Sequence, residues 1–449
     1  MLLPFLLCVL ILYIPLPLSD GAVPLSVGAG GVALLALFNA AAAYAGSGLA
    51  MTLSRLPGRR GALGANRVFL FLKGGVVGLV LADVLALKWP ALVNDLLGAH
   101  PWALMLSDLL LLAPAVVMIV TLMAFQYRFD YNRGRVHLSL SQCLWLRLRV
   151  ELGIILVPWL ILVLVTDTVN AAFYGTTWAD TADSVSSGLV LLAIIVFSPV
   201  LLRFIWSTSS LPAGPLRERL DALCRRQKLR CNDILLWHTH NHLANAGVVG
   251  PTPLVRYVLL TDALVQRSTP DEVEAIFAHE VGHVRHHHLG FYMLFAVAFV
   301  CFYVNLVDLI ALTGWVTPVR DILAFHMTAE QGAVMLGFAA VYWVLIFGFV
   351  SRRMEQQADL FSIEAVEEPR SFLSALRRLA ALSGAQSGFA SWRHFSIPRR
   401  IAFLLGVLAD PPRAKRLRAA IAAMQIALVG LLVFGAARLL VFRPHLFGL

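Results

Sequence analysis

Long apolar runs recur from one end of this chain to the other, and each is a candidate membrane crossing. A bilayer core requires about 20 apolar residues per helix. Runs that meet or approach that length fall at roughly 2–16, 24–50, 68–89, 102–125, 149–169, 187–206, 289–313, 332–350 and 418–441, nine in all, the first being the shortest. Hydrophobic residues make up 59% of the chain and charged residues only 14%, whereas soluble globules carry about a quarter charged residues. The 449 residues therefore read as a polytopic, mainly α-helical membrane protein rather than as two or three soluble domains. The first run, within "MLLPFLLCVLILYIPLPLSDG", has no basic residues ahead of its apolar core and no small-residue cleavage pattern. It reads as a retained helix, shortened by Pro15 and Pro17, rather than as a cleaved signal.

The segments between the runs sort by charge. "SRLPGRRGALGANR" carries four arginines and no acid, and "YRFDYNRGRVHLSLSQCLWLRLR" carries five arginines and one aspartate. The segments 207–288 and 351–417 are arginine-rich as well, while alternate loops such as "YGTTWADTADS" are neutral or acidic. Basic loops stay in the cytoplasm, so both large polar segments are expected there, with the N-terminus inside and the C-terminus exported. The net charge of +10 is then an orientation signal for the bilayer, and no nucleic-acid surface is indicated. Cys8, Cys143, Cys224, Cys231 and Cys301 are scattered, without the spacing of a disulfide framework or a thiolate metal site.

The expected organisation is N-terminal transmembrane helices over 1–206, a cytoplasmic α/β unit over 207–288, and two transmembrane helices over 289–350. A second cytoplasmic segment over 351–417 and a C-terminal transmembrane helix and tail over 418–449 complete it. In the α/β unit, "GPLRERLDALCRRQKL" has amphipathic helical spacing, and "DILLWHTH" and "LVRYVLLTDAL" suit strands. Between the two strands, "NHLANAGVVGPTP" has the composition of a turn.

A helix start signal follows. Thr269 is placed to cap, Pro270 suits the first helical position, and Glu272 can close a capping box. The helix then runs into His279-Glu280-Val281-Gly282-His283, an H-E-x-x-H pattern. Residues four apart on an α-helix project from one face, so two neutral imidazoles at this spacing can share a Zn²⁺ while the glutamate lies beside them as a base. The same pattern arises by chance in long chains, and a zinc site needs a third protein ligand. A metzincin histidine is excluded, because Leu289 stands where it would fall. "FVSRRMEQQADLFSIEA" offers Glu355 and Asp359, four apart on one helical face. Alone they would read as a solvated acidic face beside Arg352 and Arg353. With H-E-x-x-H upstream, Glu355 reads as the third ligand and Asp359 as the partner that orients a ligating ring. The trailing His286, His287 and His288 read as residues at the boundary where an apolar run begins. Lys73, Asp83 and Asp108, inside apolar runs, read as the lining of a polar chamber or, for Lys73 and Asp83 near their helix ends, as side chains that reach to the headgroups.

Taken in order, these segments resemble the integral-membrane gluzincin metalloproteases typified by the type I CAAX prenyl endopeptidase and the heat-shock protease HtpX. The resemblance covers about 207–410. It rests on "LPAGPLRERLDALCRR", on Asn245-Ala246 with Gly250, and on "YVLLTDALV", "DEVEAIFAHEVGHVRHHH", "MEQQADLFSIEA" and "WRHFSIPRRI". It implies His279, His283 and Glu355 as zinc ligands, Glu280 as general base and Asp359 behind the ligands. It further implies His394 and Arg400 near the tetrahedral intermediate, and Asn245 near the substrate. One departure is that Phe395 follows His394 where the family commonly has proline.

The expectation is a zinc endopeptidase embedded in the cell inner membrane, with a gluzincin-like α/β unit whose active site faces the cytoplasm. It would cleave peptide bonds of membrane or membrane-associated proteins by Glu-assisted attack of a zinc-bound water. The competing reading is a non-proteolytic zinc-binding transporter, sensor or scaffold; a transporter would need ligands inside the spans, and the histidine-rich stretch lies before one.

Overall fold

The computed structural model describes residues 58–85, 89–97, 104–132, 134, 136–316, 329–383 and 395–442, with short pieces between 5 and 52. Two compact units divide the chain, Met1–Trp206 and Ser207–Leu449.

The first unit is helical. Its described helices are α1 (Gly58–Leu85), α2 (Trp89–Leu97), α3 (Leu104–Tyr131), α4 (Leu140–Phe173) and α5 (Ala179–Ile205). Helix α4 starts earlier than the apolar pattern suggests. Ser139 and Gln142 form a capping box at its start, and a π-helical stretch at Leu148–Leu152 joins the polar first turns to the apolar run. Arg149 in that stretch donates from Nε to Ile205 O at 2.6 Å and from Nη2 to Phe204 O at 2.5 Å. It thereby satisfies carbonyls left over at the end of α5. Buried Asp83 accepts a hydrogen bond from Asn39 Nδ2 at 2.9 Å, so this carboxylate in an apolar helix has a polar partner within its own unit.

The second unit combines a small sheet with helices. In chain order it contains β1 (Thr208–Ser210), α6 (Pro215–Arg226), β2 (Asp233–Trp237), β3 (Ala246–Val249), β4 (Tyr257–Thr261), α7 (Asp262–Arg267) and α8 (Pro270–Arg285). There follow α9 (His288–Ala311), α10 (Ala329–Ala339), a π-helical stretch Ala340–Phe347, α11 (Gly348–Ala365), α12 (Arg370–Ser383), α13 (Ile397–Ala409) and α14 (Pro412–Phe442). The sheet order is β1-β2-β4-β3; β2 and β4 run parallel, and β3 pairs antiparallel with β4 from Ala246↔Leu260 to Val249↔Tyr257. The segment read as a turn between two strands therefore contains a strand of its own. Gly250, at φ +101°, ends it where an added Cβ would lie 2.1 Å from Val255 O, so only glycine fits there. The core beneath the sheet gathers Leu220, Ile234, Val258, Leu260, Phe277 and Phe372, all nearly fully buried.

Among the described residues, six helical stretches are long and apolar enough to cross a membrane: Leu106–Tyr131, Leu140–Phe173, Thr181–Ile205, His288–Ala311, Gly337–Ala365 and Pro412–Phe442. These correspond to six of the nine expected runs. The run at 2–16 and most of that at 24–50 lie outside the described residues, and 68–89 is helical as far as Leu85.

Candidate functional site

Helix α8 is fixed at its first turn. Glu272 N donates to Thr269 Oγ1 at 3.3 Å and Thr269 N donates to Glu272 Oε2 at 3.0 Å, the capping box read from the sequence. The Glu272 carboxylate also accepts from Ser374 Oγ at 2.5 Å and Arg378 Nε at 2.9 Å, both on α12. The start of the helix sets the phase of everything after it, so His279 and His283 emerge two and three turns later on one face.

Helix α11 crosses α8 closely at Gly282. A Cβ there would lie 3.1 Å from Phe361 Cβ and 3.2 Å from Ala358 Cα. Ser362 Oγ donates to Ala275 O at 2.7 Å across the same contact. This crossing carries Glu355, nearly fully buried, over the two imidazoles. His279 Nε2 and His283 Nε2 are 3.3 Å apart, and each lies 3.6 Å from a Glu355 carboxylate oxygen. For metal–ligand distances of about 2.0–2.1 Å, the edges of a tetrahedron are about 3.3–3.4 Å long. Two imidazoles and one carboxylate at these separations fit three corners around Zn²⁺, leaving a fourth position open.

Each imidazole is held from behind. His279 Nδ1 lies 3.0 Å from Asp359 Oδ1, off the ideal hydrogen-bond line. Asp359, fully buried, is gripped by Arg400, Nε donating to Oδ2 at 2.9 Å and Nη2 to Oδ1 at 2.5 Å. The His279 ring stacks on Phe372 at 5.7 Å between centroids. His283 Nδ1 lies 2.8 Å from Nδ1 of His288, which is fully buried.

The electrostatics follow from these contacts. Burial alone would depress the pKa of His279, but the neighbouring carboxylates of Asp359 and Glu355 outweigh it and lift the value to about 9. Burial depresses that of His283 well below the ordinary histidine value. Glu280 is pushed up, first by burial and then by the charge of Glu355, with His279 and the Val248 backbone opposing. A carboxylate raised in this way is a better proton acceptor than an ordinary glutamate. The concentration of negative charge at the imidazole nitrogens suits a dication.

A cavity of about 390 Å³ opens onto these groups, its wall including Asn245, Val248, Glu280, Tyr292, Phe372 and Arg400. Strand β3, at the end of the sheet, presents its free edge here. Thr261 holds the start of that strand, its backbone N and Oγ1 both donating to Asn245 O, at 3.1 and 3.0 Å. The structure thus brings together His279, Glu280, His283, Glu355, Asp359, Arg400 and Asn245. Arg400 both lines the cavity and spends Nε and Nη2 on Asp359. His394 lies outside the described residues. Phe372 and His288 were not foreseen as parts of the site: Phe372 belongs to the apolar face of an amphipathic helix, and His288 looked like a boundary residue.

Residues 214–422 match the model of peptidase family M48. The chain is 26% identical over 218 residues to the protease HtpX homolog of Aeropyrum pernix, covering 47% of this chain and 66% of that protein. It is 29% identical over 150 residues to the HtpX homolog of Methanothermobacter thermautotrophicus, covering 32% and 52%. It is 24% identical over 221 residues to protease HtpX of Pasteurella multocida, covering 46% and 73%. The chain therefore spans between half and two thirds of the length of the first curated relatives it matches. Among solved structures, Ste24p of S. mikatae aligns with a TM-score of 0.45 and 16% identity over 82% of this chain and 97% of that one.

Proposed function

Since residues 214–422 match the model of peptidase family M48, we propose that this chain is a membrane-embedded zinc endopeptidase that cleaves membrane or membrane-associated proteins at the cytoplasmic face of the inner membrane. The observation that carries the reading is the convergence of His279 Nε2, His283 Nε2 and the Glu355 carboxylate at 3.3–3.6 Å, on the same cavity as Glu280 and the free edge of β3. The location is supported by the long apolar helix that begins at His288, a few residues beyond His283, and by the arginine-rich polar segments on either side of the spans.

In this mechanism His279, His283 and Glu355 hold zinc, with Asp359 and Arg400 behind His279. Zinc held there supplies a Lewis acid that polarises the scissile carbonyl and acidifies water. The substrate lies extended along β3, the end strand of the sheet, and adds to it as a further strand. Phe372 and Leu376 form an apolar wall for one of its side chains. Glu280 accepts a proton from the attacking water at its carboxylate and returns it to the leaving amine.

The test uses full-length protein in detergent with an unfolded model protein as substrate. Cleavage should stop on chelation by phenanthroline and return with one equivalent of zinc per chain. Cleavage that persists without metal would refute the assignment. A panel of lipidated and unlipidated substrates then separates processing, which predicts one cleavage position, from quality control, which predicts several.

A further inference from the structure

The three trailing histidines differ in their placement. His287 is exposed and adopts a left-handed backbone conformation at φ +54°, which ends α8 and lets α9 begin immediately afterwards. That break turns His288 back beneath the site, where it is fully buried. Its Nδ1 lies 2.8 Å from His283 Nδ1 and its Nε2 lies 3.0 Å from Gln357 Oε1. Gln357 Nε2 in turn lies 3.1 Å from His286 Nδ1.

These contacts have one consistent direction. An amide oxygen only accepts, so His288 Nε2 carries a hydrogen and donates to Gln357. Neutral His288 then has a bare Nδ1, which can only accept, so His283 Nδ1 carries the hydrogen between those rings. Neutral His283 is left with a bare Nε2, the nitrogen that faces His279 and Glu355. At the other end, Gln357 Nε2 donates to His286 Nδ1 in the same amide orientation, with His286 Nδ1 bare. The reverse orientation would place a hydrogen on His283 Nε2, where a metal ligand needs a lone pair.

We infer that His288 is a positioning residue for zinc: by accepting from His283 Nδ1 it holds that ring in the tautomer and orientation that present Nε2 to the metal, and Gln357 locks His288 in the matching tautomer. The two ligating histidines are then supported in unlike ways, His279 by the charged Asp359–Arg400 pair and His283 by a neutral His–Gln–His chain. The inference rests on the zinc reading above.

The test measures zinc affinity of full-length protein in detergent by competition with a chromophoric chelator, alongside melting of the zinc-free protein and the visible spectrum of its cobalt form. His288→Ala should weaken zinc binding by about 10–100-fold, the usual effect of losing a partner behind a ligand. It should also alter the cobalt spectrum. His288→Asn places a carbonyl oxygen near the Nδ1 position and should recover most of the affinity. Should His288→Ala fail to fold, Gln357→Leu reports on the same chain and should also weaken zinc binding, while Gln357→Glu, which still accepts from His288, should not. His287→Asn, on the exposed neighbour, should bind as wild type does. Wild-type affinity and spectrum in folded His288→Ala or in Gln357→Leu would overturn the inference, as would a loss in His288→Asn as large as in His288→Ala. If wild type itself binds no zinc, it is the zinc reading that fails.

Discussion

At the scale of single residues, the site depends on charges buried in pairs. Fully buried Asp359 is satisfied by Arg400, whose side chain is mostly buried beside the cavity. Breaking such a pair leaves one charge unpaired at a cost of about 3–5 kcal/mol. Arg400→Ala should therefore lower thermal stability by that order, read as a shift of the melting midpoint, in addition to any loss of activity. Glu272 gives a pH-dependent prediction. Burial opposes its ionisation, but Ser374, the Thr269 N–H and Arg378 overcome this and hold its pKa below the ordinary glutamate value of 4.5. Its contribution is thus present in full above about pH 4.5 and is lost as pH falls through the lower folded value. Glu272→Gln should be less stable than wild type by about 1–3 kcal/mol near neutrality, and the difference should vanish in acid. Equal stability at neutral pH would contradict it. The i, i+4 histidines and the Glu355/Asp359 pair were legible because helical spacing alone puts each pair on one face. His288 was not, since its position depends on the helix break at His287, which no periodicity signals.

At the scale of elements, the site is a crossing of two helices. Gly282, inside the H-E-x-x-H pattern, lets α8 and α11 approach until backbone and side-chain atoms touch. Gly282→Val would push Ala358 and Phe361 away and carry Glu355 from the histidines. We expect destabilisation of about 1–3 kcal/mol together with a marked loss of zinc affinity, measured by melting and by chelator competition. Unchanged zinc binding would mean that the crossing does not set the site. The start of α8 could be read in advance because capping boxes are local. Strand β3 could not, because Asn, Gly and Pro around four short residues look like a turn until pairing with β4 is known. The π-helical stretches at Leu148–Leu152 and Ala340–Phe347 likewise have no compositional mark.

At the scale of the molecule, apolar length and the placement of arginines define the arrangement. In the proposed topology, α9 leaves the cytoplasmic side just after the histidines and Gly337–Ala365 returns to it. With the native cysteines replaced, a single cysteine at exposed Arg285 or Glu368 should be labelled from the cytoplasmic side, and one at exposed Thr313 from the opposite side. The reverse pattern would invert the proposed orientation while leaving the chemistry untouched. That the chain is a membrane protein was evident from composition, because lipid imposes long apolar helices on any sequence that crosses it. The sheet-bearing unit was less evident, since its strands are only three to five residues long.

The most direct measurement compares wild type with Glu280→Gln, purified in detergent, recording zinc per chain by mass spectrometry and cleavage of an unfolded protein. Because Glu280 is placed as the base and not as a ligand, both should hold one zinc per chain. Cleavage by the variant should fall by at least about 100-fold, the lower range for losing a positioned acid–base group. Equal cleavage by the two proteins, or no zinc in either, would contradict the account.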